Sequence, residues 1–313
     1  MNKKILIVGG CGYIGGFLTD FLSSKKGYSV TVYDNLLFEN RFLKDCNFIF
    51  GDIRDYDKIT SMVNNFDIVI WLAGLVGDGA CSVDPELTNE LNVNAFVNFV
   101  DNFSGKIVFP STCSVYGVNN ELINEKAEPN PLSLYASTKL EAERYVLEKR
   151  PDSLVFRLGT LFGLGDNHSR LRLDLVANIL TKKATLGEEL TVFGGEQWRP
   201  LLHVRDVSTA IDHCLANNVS GLYNLSYENF TIKNLAKDIC KEINCNIKYI
   251  DMKFEDLRNY RVSNEKILAK GWSPCYNIQD GIQQIQKVIK ENRVKDTQSS
   301  VYSNAQYIKE IYG

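Results

Sequence analysis

The chain has 313 residues and a mass of 35.4 kDa, enough for one large domain with a smaller lobe and short for three. Hydrophobic residues at 44% and charged residues at 23% are ordinary for a globular protein, and a net charge of −3 offers no basic surface to a nucleic-acid backbone. No apolar run approaches the roughly 18 residues needed to span a bilayer.

Lys3-Lys4 followed by Ile5-Leu6-Ile7-Val8 has the look of a short signal sequence, but the apolar run stops in glycines. It reads instead as a first strand, and a cytoplasmic protein is expected. Further strands are predicted at 29–33, 47–50, 68–72, 107–110 and 154–157, with helices at 15–24, 56–65, 85–102 and 133–149. Such alternation demands right-handed crossovers and a parallel sheet covered on both faces, the doubly wound Rossmann architecture. Beyond residue 160 the rhythm weakens: a loop at Gly163-Leu164-Gly165-Asp166, helices at 173–181, 232–243 and 280–291, and short strands at 190–193 and 222–225. The expected division is a dinucleotide-binding domain over 1–164, to which the chain returns around 200–220, and a smaller mixed α/β substrate lobe over 165–313. The tail from Asp296 is polar and expected to be loosely ordered. Cys11, Cys46, Cys81, Cys113, Cys214, Cys240, Cys245 and Cys275 form no CxxC pair, so reduced, mostly buried thiols are expected. With only His168, His203 and His213 as imidazoles, no metal site is expected.

Gly9-Gly10-Cys11-Gly12-Tyr13-Ile14-Gly15 joins the first strand to the first helix. Glycine is required for positive φ in the turn, for close backbone approach to a pyrophosphate, and for packing the helix on the strand. The pyrophosphate then meets free N–H groups at the helix start, where Tyr13 and Ile14 stand. Asp34 closes the second strand, about 20 residues beyond the turn, where a carboxylate binds both ribose hydroxyls and repels a 2′-phosphate. That favours NAD over NADP; the alternative is an Asp34-Asn35 pair that only starts a turn. Asp52, in Gly51-Asp52-Ile53, is a candidate for the adenine edge or a loop cap. Asn35 and Ile53 complete this group of expected cofactor contacts.

Tyr135 and Lys139 form a Y-x-x-x-K pair, one turn apart on one helical face. Lowering a phenol pKa from about 10 by roughly three units takes about 4 kcal/mol. A cation about 4 Å away at an effective dielectric of about 20 supplies close to that. Lys139, with a positive nicotinamide ring, would make Tyr135 a usable base. The spacing also arises by chance on exposed helices, but Ser111-Thr112-Cys113-Ser114-Val115-Tyr116-Gly117 follows the fifth strand, at the sheet edge where ligands bind. A hydroxyl there can bond the reacting oxygen.

Taken together these motifs resemble the extended short-chain dehydrogenases/reductases of the nucleotide-sugar epimerase and dehydratase family, over residues 1 to roughly 275. The resemblance implies a catalytic triad of Thr112, Tyr135 and Lys139, with Ser111 beside it on the substrate side. It implies NAD held by Gly9, Gly12, Gly15 and Asp34, with Leu72-Ala73-Gly74 lining the cofactor and Asn92 supporting the active-site helix. Arg199, in Arg199-Pro200-Leu201-Leu202-His203-Val204-Arg205-Asp206, would contact a substrate diphosphate, His203 and Asp206 being structural. Arg258, in Asp256-Leu257-Arg258-Asn259-Tyr260, would be a second diphosphate contact or a surface charge. In Ser169-Arg170-Leu171-Arg172-Leu173-Asp174, Arg170 or Arg172 touches substrate or merely charges a helix start. Helices 85–102 and 133–149 would meet their copies in a homodimer.

Family members commonly share hydride transfer from sugar C4 to NAD. The dehydratases place an acid directly after the active-site threonine or one position later; Cys113 and Ser114 stand there, which disfavours dehydration. A C4 dehydrogenase and a 4-epimerase both fit, as does, at a distance, an inactive NAD-binding module, although such proteins lose the tyrosine or lysine. The Leu75-Val76-Gly77-Asp78-Gly79-Ala80-Cys81 and Tyr260-Arg261-Val262-Ser263 segments are similar to proteins of bacterial surface-polysaccharide pathways, GDP-manno-heptose C4 dehydrogenases among them.

Overall fold

A strand buried on both faces needs apolar side chains on both, and β1 (Lys3–Val8) supplies them: Ile5 and Ile7 face one core, Leu6 and Val8 the other. The computed structural model describes residues 2–39, 41–166, 168, 170–251 and 258–313; Ser169, Asp256 and Leu257 of the segments above lie outside them. The strands that follow are β2 (Tyr28–Asp34), β3 (Asn47–Phe50), β4 (Ile68–Trp71), β5 (Lys106–Thr112), β6 (Val118–Ile123), β7 (Leu154–Leu158) and β8 (Thr160–Phe162). After them come β9 (Leu190–Phe193), β10 (Trp198–His203), β11 (Gly221–Leu225), β12 (Glu228–Thr231), β13 (Ile247–Ile250) and β14 (Asn259–Val262). Seven of these make one parallel sheet in the order β11-β7-β5-β4-β1-β2-β3. The order reverses between β1 and β4, so their carboxyl ends open the crevice in which such sheets bind ligands.

The first-half helices are α1 (Tyr13–Ser23), α2 (Tyr56–Val63), α3 (Asp78–Cys81), α4 (Pro85–Asn89), α5 (Ala95–Asn102) and α6 (Leu134–Lys149). They are followed by α7 (Val176–Thr185), α8 (Val204–Ala216), α9 (Ile232–Ile243), α10 (Glu265–Leu268), α11 (Ile278–Lys290) and α12 (Asn304–Tyr312). Leu18 and Leu22 of α1 and Ile211 of α8 cover one face of the large sheet; Phe96 and Phe99 of α5 and Ala142 and Val146 of α6 cover the other. The architecture is the doubly wound one, with a smaller mixed lobe of α7, α9 and α11 against β9 and β10. The chain re-enters the large sheet through β11, after α8 has packed on α1. No helix among the described residues is long and apolar enough to cross a membrane.

Three expectations are corrected. The stretch 85–102 is interrupted by a π-helical turn at Glu90–Asn94, which pushes one residue out of register and faces Asn92 inward. The tail is ordered: Ser303 caps α12 by accepting from Gln306, and Ile308 is fully buried against Leu75, Ala80 and Cys81. Cys240 and Cys245 are joined in a disulfide across the left-handed Asn244 that ends α9; the other six cysteines are free.

Candidate active site

The glycine turn leaves backbone where other residues would put side chains. Gly9 has φ +85°, and a Cβ there would lie 2.6 Å from the Ala73 amide nitrogen. Gly12 begins α1 with no side-chain cap, so the first amides of the helix remain for an anion. At Gly15 a Cβ would come within 2.4 Å of the Gly9 carbonyl oxygen and 2.6 Å of Gly10 Cα. Gly15→Ala is therefore expected to cost about 1–3 kcal/mol and to weaken NAD binding at least about tenfold. Denaturant melts and calorimetric titration with NAD check this, and unchanged values in both would contradict it.

A narrow cleft runs from this turn past Asp34, Asn35 and Ile53, with Leu72-Ala73-Gly74 as its far wall. Asp34 accepts from the Cys11 and Leu36 amides at 2.9 and 2.8 Å, which ties the turn to the end of β2. Burial raises its pKa while those amides pull it back. A carboxylate at one end and uncapped helix amides at the other suit a ribose and a pyrophosphate. Asp52 does not line the cleft. Its carboxylate takes both Arg54 nitrogens at 2.9 Å and Asn35 Nδ2 at 3.2 Å, which lowers its pKa to about 2. Tyr13 also turns away: its hydroxyl donates to Gly163 O at 2.6 Å, leaving only its backbone toward the cleft. Ile14 lines the larger cavity instead.

That cavity, about 600 Å³, lies between the lobes and holds Ser111, Thr112, Tyr135 and Lys139 in its wall. Thr112 ends β5, and α6 brings Tyr135 beside it, near enough for the Thr112 hydroxyl to favour the ionised phenol. Ser133 starts α6 by accepting from Ala136, while its own hydroxyl donates to Asp78 at 2.7 Å. The protein's own groups hold the phenol neutral. Burial raises the Tyr135 pKa, with Cys81 adding to it and Thr112 opposing it. Lys139, whose ammonium lies 3.9 Å from the centre of the Phe109 ring, is lowered to about 7 by burial, with Glu143 resisting. The protein alone thus keeps the pair poorly charged, because the site is too apolar for one ammonium to outweigh desolvation. Since the folded pKa is below the unfolded value of about 10.5, the unfolded chain binds the extra proton between pH 7 and 10.5. This group's contribution to stability therefore rises with pH through that window. Methyl-labelled lysine NMR on NAD-free protein should find one midpoint near 7, absent in Lys139→Met; only ordinary midpoints would contradict it.

Asn92 faces neither cavity. It receives the Leu75 amide at 2.8 Å, donates to Leu75 O at 3.0 Å and reaches Thr138 Oγ1 at 3.3 Å. It clamps the loop after β4 to the active-site helix, a positioning role. Arg199 is buried, donates to Trp198 O at 2.8 Å and lies 5.9 Å from the Tyr260 ring. Arg258 pairs with Asp78 at 3.0 Å, and both arginines line the cavity. Arg172 lines it too, held by Asp174 at 2.9 and 3.0 Å; Arg170 instead stacks 3.6 Å from the Phe38 ring. His203 is fully buried, bonds Gln284 at 2.8 Å and is lowered to about 4 by burial. Asp206 accepts from the Cys275 and Tyr276 amides, as a structural residue does. Sequence reasoning did not single out Asp78, Tyr260 or Ser303-Asn304-Ala305 as site residues, and all stand in the cavity wall. Their place depends on contacts across the fold, and only the serine cap at 303 is a local signal.

The sequence model of the NAD dependent epimerase/dehydratase family matches residues 5–226. The chain belongs to this family. Among curated relatives, CDP-paratose 2-epimerase of Salmonella typhi is 26% identical over 90% of this chain and 98% of its own. UDP-glucose 4-epimerase of Rhizobium meliloti is 29% identical over 88% and 94%. The solved UDP-glucose 4-epimerase of Thermus thermophilus, in complex with NAD, superposes with a TM-score of 0.78 at 25% identity, covering 92% of this chain and 99% of that one. The protein is accordingly an NAD-dependent enzyme of the nucleotide-sugar epimerase and dehydratase type.

Proposed function

We propose that the enzyme oxidises the C4 hydroxyl of a nucleotide-sugar to a 4-keto sugar, GDP-manno-heptose being the first candidate, in the cytoplasmic synthesis of bacterial surface polysaccharide. The observation that carries this reading is Thr112 and Tyr135 side by side, with Lys139 one turn on, in a cavity whose wall also holds Arg199 and Arg258. NAD, when bound, supplies the hydride acceptor. Gly9, Gly12, Gly15 and Asp34 would hold it, with the backbone of Tyr13 and Ile14. Thr112, with Ser111 beside it, orients the sugar oxygen; Tyr135 takes the hydroxyl proton; Lys139 favours the charge that develops on the phenol. Arg199 and Arg258 offer planar forks for the diphosphate. Dehydration lacks its acid: Cys113 is buried with its thiol on Arg157 O, and Ser114 bonds Tyr260.

Epimerisation at C4 is the second reading, favoured by relatives named as 4-epimerases. Incubation with a panel of nucleotide-sugars separates the two. A 4-keto product with stoichiometric NADH absorbance supports oxidation, and an inverted sugar without net NADH supports epimerisation. Neither with any sugar would contradict both. The outer groove between α5 and α6, bordered by Val97, Leu140 and Tyr145, is the proposed homodimer face. Light scattering should give twice 35.4 kDa at micromolar concentration; the monomer mass would contradict it.

A further inference from the structure

We infer that the C-terminal strap, residues 299–313, belongs to the active site and reads the sugar ring through Asn304. The inference rests on the reading that the cavity takes a nucleotide-sugar. The strap lies beyond the segment matched by the family, which ends at residue 226, yet it is pinned to both lobes. On the substrate lobe, the Asn304 amide donates to Asp174 at 2.9 Å and Tyr302 O accepts from Leu173 at 2.9 Å. On the sheet side, Asn304 Nδ2 donates to Val76 O at 2.7 Å, Tyr307 packs on Phe38 with ring centres 5.3 Å apart, and Ile308 fills the pocket of Leu75, Ala80 and Cys81. Ala305 sits so close to α3 that a Cβ on Gly79 would come within 3.0 Å of its methyl.

Ser303, Asn304 and Ala305 stand in the wall of the cavity that holds Tyr135. Asn304 is only 5% exposed, and its Oδ1 has no hydrogen-bond partner among the described residues. The bond from Nδ2 to the Val76 carbonyl fixes which end of the amide is oxygen, because two acceptors would repel. A buried amide oxygen left unpaired costs free energy; Oδ1 is itself enclosed behind the cavity wall, so a small shift of the Asn304 side chain on binding would bring it to a donor carried by the ligand. An acceptor oxygen suits a neutral sugar hydroxyl and not a phosphate, which has only acceptors to offer. The two arginines take the diphosphate, and Asn304 takes a ring hydroxyl.

Calorimetric titration of the NAD-loaded, full-length protein with UDP and UDP-glucose, and with GDP and GDP-mannose, tests this. For whichever sugar binds wild type more tightly than its own nucleotide diphosphate, Asn304→Ala should lose about tenfold in affinity, while nucleotide diphosphate and NAD affinities hold within about twofold. An unchanged ratio of sugar to diphosphate affinity would overturn the inference and leave the nucleotide-sugar reading standing. Failure of wild type to bind any of the four at millimolar concentration would overturn the nucleotide-sugar reading itself. Should Asn304→Ala not fold, hydrogen exchange on wild type decides: the sugar should slow amides of 299–313 beyond the effect of the diphosphate alone. Equal protection would overturn the inference.

Discussion

Tyr135→Phe is expected to lower the rate of sugar oxidation about 10³-fold, within the range for removal of a general base, while NAD affinity and thermal melting stay as in wild type. The change removes one oxygen, whose neighbour in the cavity wall is the Thr112 hydroxyl. The ring remains packed at the edge of the cluster that includes Leu75 and Ile308, so the fold loses little. Thr112 keeps its own bond from the Ser114 amide at 3.1 Å, so the end of β5 stays in place. Single-turnover NADH absorbance on the NAD-loaded protein measures the effect. A loss under about tenfold would show that another group takes the proton. A loss accompanied by a fallen melting temperature would show a structural part for the phenol.

Breaking the buried ion pair under the active-site helix should cost the most stability of any change considered. Arg157 and Glu143 are 4% and 1% exposed, and the guanidinium meets the carboxylate with Nε at 3.1 Å from both oxygens and Nη2 at 2.5 Å from one. Arg157 also donates to the Tyr116 hydroxyl, which donates to Asn224 Oδ1, both at 2.8 Å. Removing one partner strands a charge away from water, so Arg157→Met or Glu143→Met should each cost about 3–5 kcal/mol. The double variant, with no charge left to strand, should recover most of that. Urea denaturation of the three proteins checks this. Additive losses would mean that the pair is not coupled, and single losses below about 1 kcal/mol would mean that it is not desolvated. Glu143 follows Lys139 by one helical turn and favours its charge, so Glu143→Met should also shift the Lys139 midpoint below about 7.

The large sheet was readable because buried parallel strands leave unbroken apolar runs, as in Ile5–Val8 and Ile68–Trp71, and because glycines and aspartates bound them. The strands that escaped notice lack such runs. β6 carries Asn119, Asn120 and Glu121 and pairs with β14, which follows about 140 residues later in the chain; β10 contains Pro200 and drew attention only as a motif. The tail looked loose because its polar residues outnumber the few that dock it, Ile308 among them. At the site, the spacing of Tyr135 and Lys139 on a helix with Thr112 at a strand end was legible, since local geometry determines it. The direction of the pKa shifts was not: it depends on burial by Phe109 and Cys81, which arrive from other parts of the chain. Asp52 shows the loop cap that was one of the two roles weighed for it, its carboxylate taking the amide and guanidinium of an arginine two residues on.

Transfer of deuterium tests the central claim most directly. The nucleotide-sugar that reacts in the panel is prepared with deuterium at C4, mixed with NAD-loaded protein and quenched within one turnover. The account predicts deuterium on C4 of the recovered nicotinamide and none released to water. Deuterium retained on the sugar of the product, or washed into solvent without reaching the nicotinamide, would contradict it.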